Sequence, residues 1–132
     1  MLNVRRKERL KVFKRSDVPV EDVKGGAFCE RAEVQHFITA EISKDFIVSI
    51  VHFPSGHRTR WHIHDCDQIL YILDGIGMVA NESAQYEVTP GMLIIIHAGE
   101  KHWHGAKKES HLTHIMILKA DSKATMFECP TL

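Results

Sequence analysis

The stretch WHIHDCDQILYILDG, residues 61–75, decides the fold. It places His62 and His64 one residue apart, then Gln68, then an apolar run closed by Gly75. Alternate residues of a strand point to the same face, so the two imidazoles share a side. In QILYIL, Leu70 and Ile72 share a side with Gln68, while Ile69, Tyr71 and Leu73 share the other. A strand that is apolar on both faces predicts burial on both: one in a barrel interior, one against another sheet or a partner subunit.

Working outward, turn signals recur at short intervals: Gly25-Gly26, Pro54-Ser55-Gly56, Asp74-Gly75, Asn81-Glu82-Ser83, Pro90-Gly91 and Ala98-Gly99. Between them lie FIVSIVHF, QILYIL, GMVA, YEVT, MLIII and LTHIMIL, rich in β-branched and aromatic residues. Short strands at this rhythm predict an all-β sandwich or barrel. No segment after residue 24 has capped helical periodicity, so any helix is expected to be short and near the N-terminus.

The chain has 132 residues, 44% apolar and 26% charged, with formal net charge zero. That is the size and balance of one ordinary globular domain, and its charge points to neither nucleic acid nor membrane. The exception is MLNVRRKERLKVFKR, with seven basic residues against one Glu; the remainder carries ten basic against sixteen acidic. Residues 1–24 therefore read as a basic N-terminal arm and 25–132 as a single domain. No secretory h-region or bilayer-length apolar run occurs. Cys29, Cys66 and Cys129 form an odd, unpatterned set that predicts unpaired thiols and a cytoplasmic protein.

Ten histidines are many for this length, and four form two His-x-His pairs, His62/His64 and His102/His104. A lone exposed pair is ordinarily two surface imidazoles. Two pairs on separate strands, each beside a glycine turn, favour a metal site: lining one cavity, they offer three nitrogens at the usual ~2.0–2.2 Å. Gln68 adds a neutral amide oxygen.

GHRTRWHIHDCDQILYILDG has the spacing of the first cupin motif, G-x5-H-x-H-x3-E-x6-G, through Gly56, His62, His64, Gln68 and Gly75. GMLIIIHAGEKHWHGA follows the second motif, G-x5-P-x-G-x2-H-x3-N, through Gly91, Gly99 and His102. The runs RTRWHIHDCDQ, AGEKHWHGA and LTHIMI resemble hallmark runs of the small cupin hydroxynitrile lyases. The resemblance implies a double-stranded β-helix, a jelly-roll-like barrel that assembles as a homodimer. It implies one divalent transition metal (Mn, Fe, Ni, Co, Cu or Zn) held by His62, His64, Gln68 and His102. It also implies that His114 faces the metal cavity as a proton-transfer group.

Three departures are visible: Gln68 stands for the usual glutamate, His97 for proline and Ala106 for asparagine. Three neutral imidazoles and an amide leave a divalent ion near its full +2 charge, a stronger Lewis acid than with a carboxylate. His97 reads as structural, and the ending SKATMFECPTL lacks the family's acidic tail, so the cavity rim is open to difference. His104 shares a face with His102 but is placed past the strand's end, as a supporting or rim residue. His114 lies on an apolar face with Leu112, Met116 and Leu118, where a satisfied core histidine is the ordinary reading.

Trp61 and Trp103 should face away from the metal, and Ser49, Val51, Phe53 and Met78 are candidate cavity walls. Asp65, Cys66 and Asp67 read as a loop, and Arg58 and Arg60 as outward-facing. The sequence thus predicts a metal-dependent cupin acting on a small molecule by lyase- or dioxygenase-type chemistry, with His114 and His104 as candidate catalytic groups. The competing expectation is a cupin module that binds a small molecule or metal without turnover.

Overall fold

The structure is a computed structural model that describes residues 10–131. Most of the basic run at the N-terminus therefore lies outside the described residues. A 3-10 turn at Arg15–Asp17 precedes eleven strands. They are β1 (Glu21–Val23), β2 (Ala32–Ile38), β3 (Phe46–Phe53), β4 (His62–His64), β5 (Gln68–Gly75), β6 (Gly77–Asn81), β7 (Gln85–Val88), β8 (Leu93–Ile96), β9 (His102–Ala106), β10 (Leu112–Lys119) and β11 (Ala124–Met126).

Two sheets form, in the orders β1-β2-β3-β10-β5-β8 and β11-β4-β9-β6-β7. From β3 onward the chain passes repeatedly from one sheet to the other, which is how a jelly roll wraps one core with two sheets. All the strand pairings are antiparallel, with β3 and β10 in register over eight residues, Phe53 opposite Leu112 and Phe46 opposite Lys119. The all-β, jelly-roll expectation is met.

FIVSIVHF explains itself by alternation. Ser49, Val51 and Phe53 point inward and are buried, while Val48 and His52 are only half-buried on the outer face. Phe53, Leu70, Ile72 and Leu112 are fully buried and anchor the core. Each such side chain contributes roughly 1.5–3 kcal/mol of burial free energy. The strand segments not anticipated are β1, β2 and β11. AEVQHFI mixes charge and amide with its apolar residues, because Gln35 turns outward and donates to the carbonyls of Arg15 (2.9 Å) and Val18 (2.8 Å).

Within one chain, β5 is buried on the inner of its two faces, the outer being the one expected to meet another sheet or a partner subunit. Gln68, Leu70 and Ile72 are buried, but Tyr71 is 39% exposed, with Ile69 and Leu73 half-buried. Tyr71 sits beside Leu93 and Ile69 beside Ile95 on β8, and both β8 residues are exposed. The outer face of this sheet edge is apolar and uncovered within one chain. Met78 departs from expectation: Val79 takes the inward position on β6, and Met78 does not line the cavity.

The cysteine expectation is corrected too. Cys29 and Cys129 form a disulfide across 100 residues, with Cα atoms 5.9 Å apart, and Cys66 remains a free thiol. The cysteine pattern therefore no longer argues for a reducing compartment. Among the described residues, no helix is long and apolar enough to cross a membrane.

Candidate metal centre

Antiparallel register brings the first two imidazoles together: His62 on β4 lies directly opposite His102 on β9. Their ring centroids are 4.2 Å apart. His64, two residues along β4, points to the same side, its ring 4.9 Å from that of His62 and 5.5 Å from that of His102. One nitrogen from each of the three lies within 4.8 Å of the others, and all three residues are buried.

Local backbone chemistry aims these rings. His62 Nδ1 lies 2.7 Å from the Arg60 carbonyl, and His102 Nδ1 lies 2.7 Å from the Glu100 carbonyl. A carbonyl only accepts, so both Nδ1 atoms carry the proton and both Nε2 atoms keep a lone pair, the arrangement that suits a metal ligand. The turn that presents Glu100 is itself braced. Its carboxylate accepts from Asn81 Nδ2 (2.8 Å) and from the His97 amide (3.0 Å), and its own amide donates to the His97 carbonyl (3.0 Å). The His97 side chain is exposed and lies 3.6 Å from Asp67.

Gln68, at the start of β5 in the facing sheet, places Oε1 3.2 Å from His102 Nε2. Because that nitrogen has no proton, the contact as drawn joins two acceptors. It is resolved either by turning the amide so that Nε2 of Gln68 donates, or by a cation that both atoms ligate. His64 carries the same signature: both its ring nitrogens are buried and meet no hydrogen-bond partner among the described residues. Buried polar atoms without partners are costly, so the donor set fits a divalent ion that takes imidazole and one amide oxygen.

His104 does not lie past the strand's end, where the sequence suggests a supporting or rim residue. β9 runs on to Ala106, so His104 is mid-strand and buried in the cavity wall. Its Nδ1 lies 3.2 Å from Nε2 of His114, which is fully buried on β10. Phe53 packs against both rings, at 5.8 and 5.5 Å. The His104 amide donates to Thr59 Oγ1 (3.1 Å), and Thr59 was not singled out by the sequence. That contact depends on Gly105, where a Cβ would meet the Arg58 Cα at 2.5 Å.

Burial sets the electrostatics. Desolvation, followed by the neighbouring His102, lowers the His62 pKa to about 4. Desolvation and then His62 do the same for His64, and desolvation lowers His114 to about 4. His104 is pushed well below the ordinary value by burial and by His114. The cluster is thus a set of neutral imidazoles with lone pairs at neutral pH.

The rings line a cavity of about 250 Å³. Ser49 and Val51 form part of its wall, as anticipated, whereas Phe53 lies behind the two deep histidines. Val23, Ala27, Phe28, Val34 and His36 are walls the sequence did not indicate, because they come from β1, β2 and the loop between them. Among the described residues the lining includes no Lys, Arg, Asp or Glu. Trp103 is buried outside the cavity, and Trp61 sits under Lys101, whose Nζ is 5.7 Å from the ring centroid. Asp65 and Asp67 accept from the amides of Lys123 and Ala98 (both 2.9 Å).

Residues 49–118 match the profile of the family described as Cupin domain. The chain is 41% identical over 76 residues to an (R)-mandelonitrile lyase of Granulicella tundricola, an alignment covering 56% of this chain and 58% of that protein. The match thus spans less than two thirds of that relative's length. Among solved structures, the fold resembles a cupin-like protein from Thermotoga maritima with TM-score 0.80 and 26% identity, over 92% of this chain and 91% of that one. It also resembles the polyketide cyclase RemF from Streptomyces resistomycificus, with TM-score 0.80 and 19% identity over 92% and 87%.

Proposed function

The chain belongs to the cupin family, and on that footing we propose that it is a divalent-metal-dependent enzyme for a small, largely apolar carbonyl or hydroxyl compound. The observation that carries this reading is the three-histidine cluster, two of whose members, His62 and His64, line a largely apolar cavity with no charged side chain among the described residues. His62, His64 and His102 would hold the ion, with Gln68 as fourth donor. A bound divalent ion of this kind supplies Lewis-acid polarisation of a substrate oxygen.

The remaining work falls to the protein's own groups. The cavity walls exclude water and accept an apolar body. His114 Nε2 and His104 Nδ1, 3.2 Å apart, share one proton, leaving His104 Nε2 and the buried His114 Nδ1 as the ring nitrogens outside that contact. The pair, neutral through burial, can take a proton from a substrate hydroxyl or return one to a leaving carbanion. Lyase chemistry on a cyanohydrin is the version favoured by the 41% identity to a mandelonitrile lyase. A second copy of the chain is the partner we assign to the apolar outer face around Tyr71, Leu93 and Ile95.

The test is elemental analysis of untagged protein beside a His62→Ala/His102→Ala variant, followed by an assay of mandelonitrile cleavage to benzaldehyde and cyanide. About one metal per chain, lost in the variant together with turnover, supports the reading. Metal and carbonyl-compound binding without turnover of any offered substrate supports the binding-module alternative. Absence of metal even after reconstitution overturns the metal centre.

A further inference from the structure

The segment 57–64 that carries His62 and His64 is held on two edges of unequal strength. On one side runs β9: Thr59 donates to the His104 carbonyl (2.9 Å), Ala106 donates to the His57 carbonyl (2.8 Å), and His62 registers with His102. On the other side the described residues supply no continuous strand. Two short pieces meet end to end there, residues 27–29 and residues 123–128.

Residues 27–29 bond to the first half, Cys29 donating to the Arg58 carbonyl (3.0 Å) and Arg60 to the Ala27 carbonyl (2.8 Å). The C-terminal piece bonds to the second half. Trp61 donates to the Glu128 carbonyl (3.0 Å), Phe127 to the Trp61 carbonyl (2.8 Å) and Asp65 to the Lys123 carbonyl (3.0 Å). β11 pairs with β4 along its full length, Ala124 opposite His64 and Met126 opposite His62. Yet all three β11 residues are exposed, so little apolar burial holds this strand down.

The Cys29–Cys129 bond joins the two pieces at their junction. Arg60 sits at that junction too. Its guanidinium donates to the Phe127 carbonyl (3.1 Å), and its own carbonyl accepts from His62 Nδ1 and so sets the ring.

We propose that the Cys29–Cys129 disulfide is a positioning element for His62 and His64, and that its reduction weakens metal binding while the barrel stays folded. This rests on the metal-centre reading above. Both cysteines are partly exposed, within reach of a dithiol reductant. The dithiol gives two electrons and two protons, the Cys29–Cys129 bond breaks to two thiols, and the reductant leaves as its own disulfide. The edge then reverts to two separate pieces, and the 23–28 wall of the cavity, with Val23, Ala27 and Phe28, loses its tie to the C-terminal segment.

The experiment titrates full-length oxidised protein and a Cys29→Ser/Cys129→Ser variant with Mn²⁺, reading the free ion by electron paramagnetic resonance, since thiols compete poorly for this metal. In parallel, amide hydrogen exchange is followed on the wild type before and after reduction. The expected result is Mn²⁺ binding weaker by roughly tenfold or more in the variant, the size typical of losing a supporting group. Reduction should speed exchange in residues 58–65 and 123–128 while 112–118 stay protected. Mn²⁺ affinities within twofold, or exchange in 58–65 unchanged by reduction, overturn the proposal. Should the variant not fold, the exchange arm on reduced wild type decides alone. Oxidised wild type that binds no Mn²⁺ would instead mark failure of the metal-centre reading itself.

Discussion

The two His-x-His pairs have the same spacing and the same alternation, yet the structure uses them differently. His62 and His64 both turn toward one point, because β4 is short and both its side chains lie beside the end of β9. His102 joins them, but His104, one step deeper along β9, meets His114 at 3.2 Å instead. Equal spacing puts two side chains on one face, but the neighbours at each depth decide what each does. Near the cavity's polar end stand His62, His64 and Gln68; one residue pair deeper stand His114 and Phe53.

That difference can be broken most sharply by substitution. His102→Ala should lower divalent-metal affinity by more than the roughly 10–100-fold that loss of a supporting group costs. His104→Ala should stay below tenfold while abolishing proton-transfer-dependent turnover. Calorimetric metal titration of the two variants checks this, and equal losses would erase the distinction. Next in size is Glu100→Ala, which removes the carboxylate bracing the turn whose carbonyl aims His102. A fall of about 10–100-fold in metal affinity is expected, with Glu100→Gln restoring part of it, by the same titration.

Gln68→Glu sharpens the comparison in the other direction. The added charge should tighten divalent binding on the order of tenfold and leave the His104–His114 pair unaltered. A competition assay with a chelator reads the change, and weaker binding would remove Gln68 from the donor set.

The smallest effect is acid sensitivity of the metal-free protein. His62, His64 and His114 have folded pKa values of about 4, below the free value of 6.5. Between these limits the unfolded chain binds more protons, so stability is complete above pH 6.5 and is lost as pH falls toward 4. Thermal melting of metal-free protein at pH 7 and pH 4.5 should show a drop of roughly 5 °C or more. The His104→Ala variant should lose part of that dependence, because it removes a buried imidazole that is itself held well below its ordinary value.

Strands were legible wherever alternation was clean. FIVSIVHF and LTHIMIL coincide with β3 and the body of β10, because period-two apolar residues have no other way to bury one face. AEVQHFI was not legible, since Gln35 looks like a surface residue until the carbonyls of Arg15 and Val18 are brought to it. β11, in ATM, has all three residues exposed and so leaves no hydrophobic trace in the sequence. At the site, the two faces carrying His62, His64, His102 and Gln68 followed from strand alternation and motif register. The depth of His104 did not, nor did the walls supplied by Val23, Ala27, Phe28 and Val34, which lie far away in the chain.

The sequence by itself determined an all-β chain and the histidine-bearing faces, because side-chain alternation is a local property of the extended backbone. Register across strands determined the rest. Only tertiary structure set His62 opposite His102, gave His104 to His114, and brought Cys29 and Cys129 within 5.9 Å across 100 residues. A disulfide requires that Cα proximity, and cysteine spacing along a chain does not contain it.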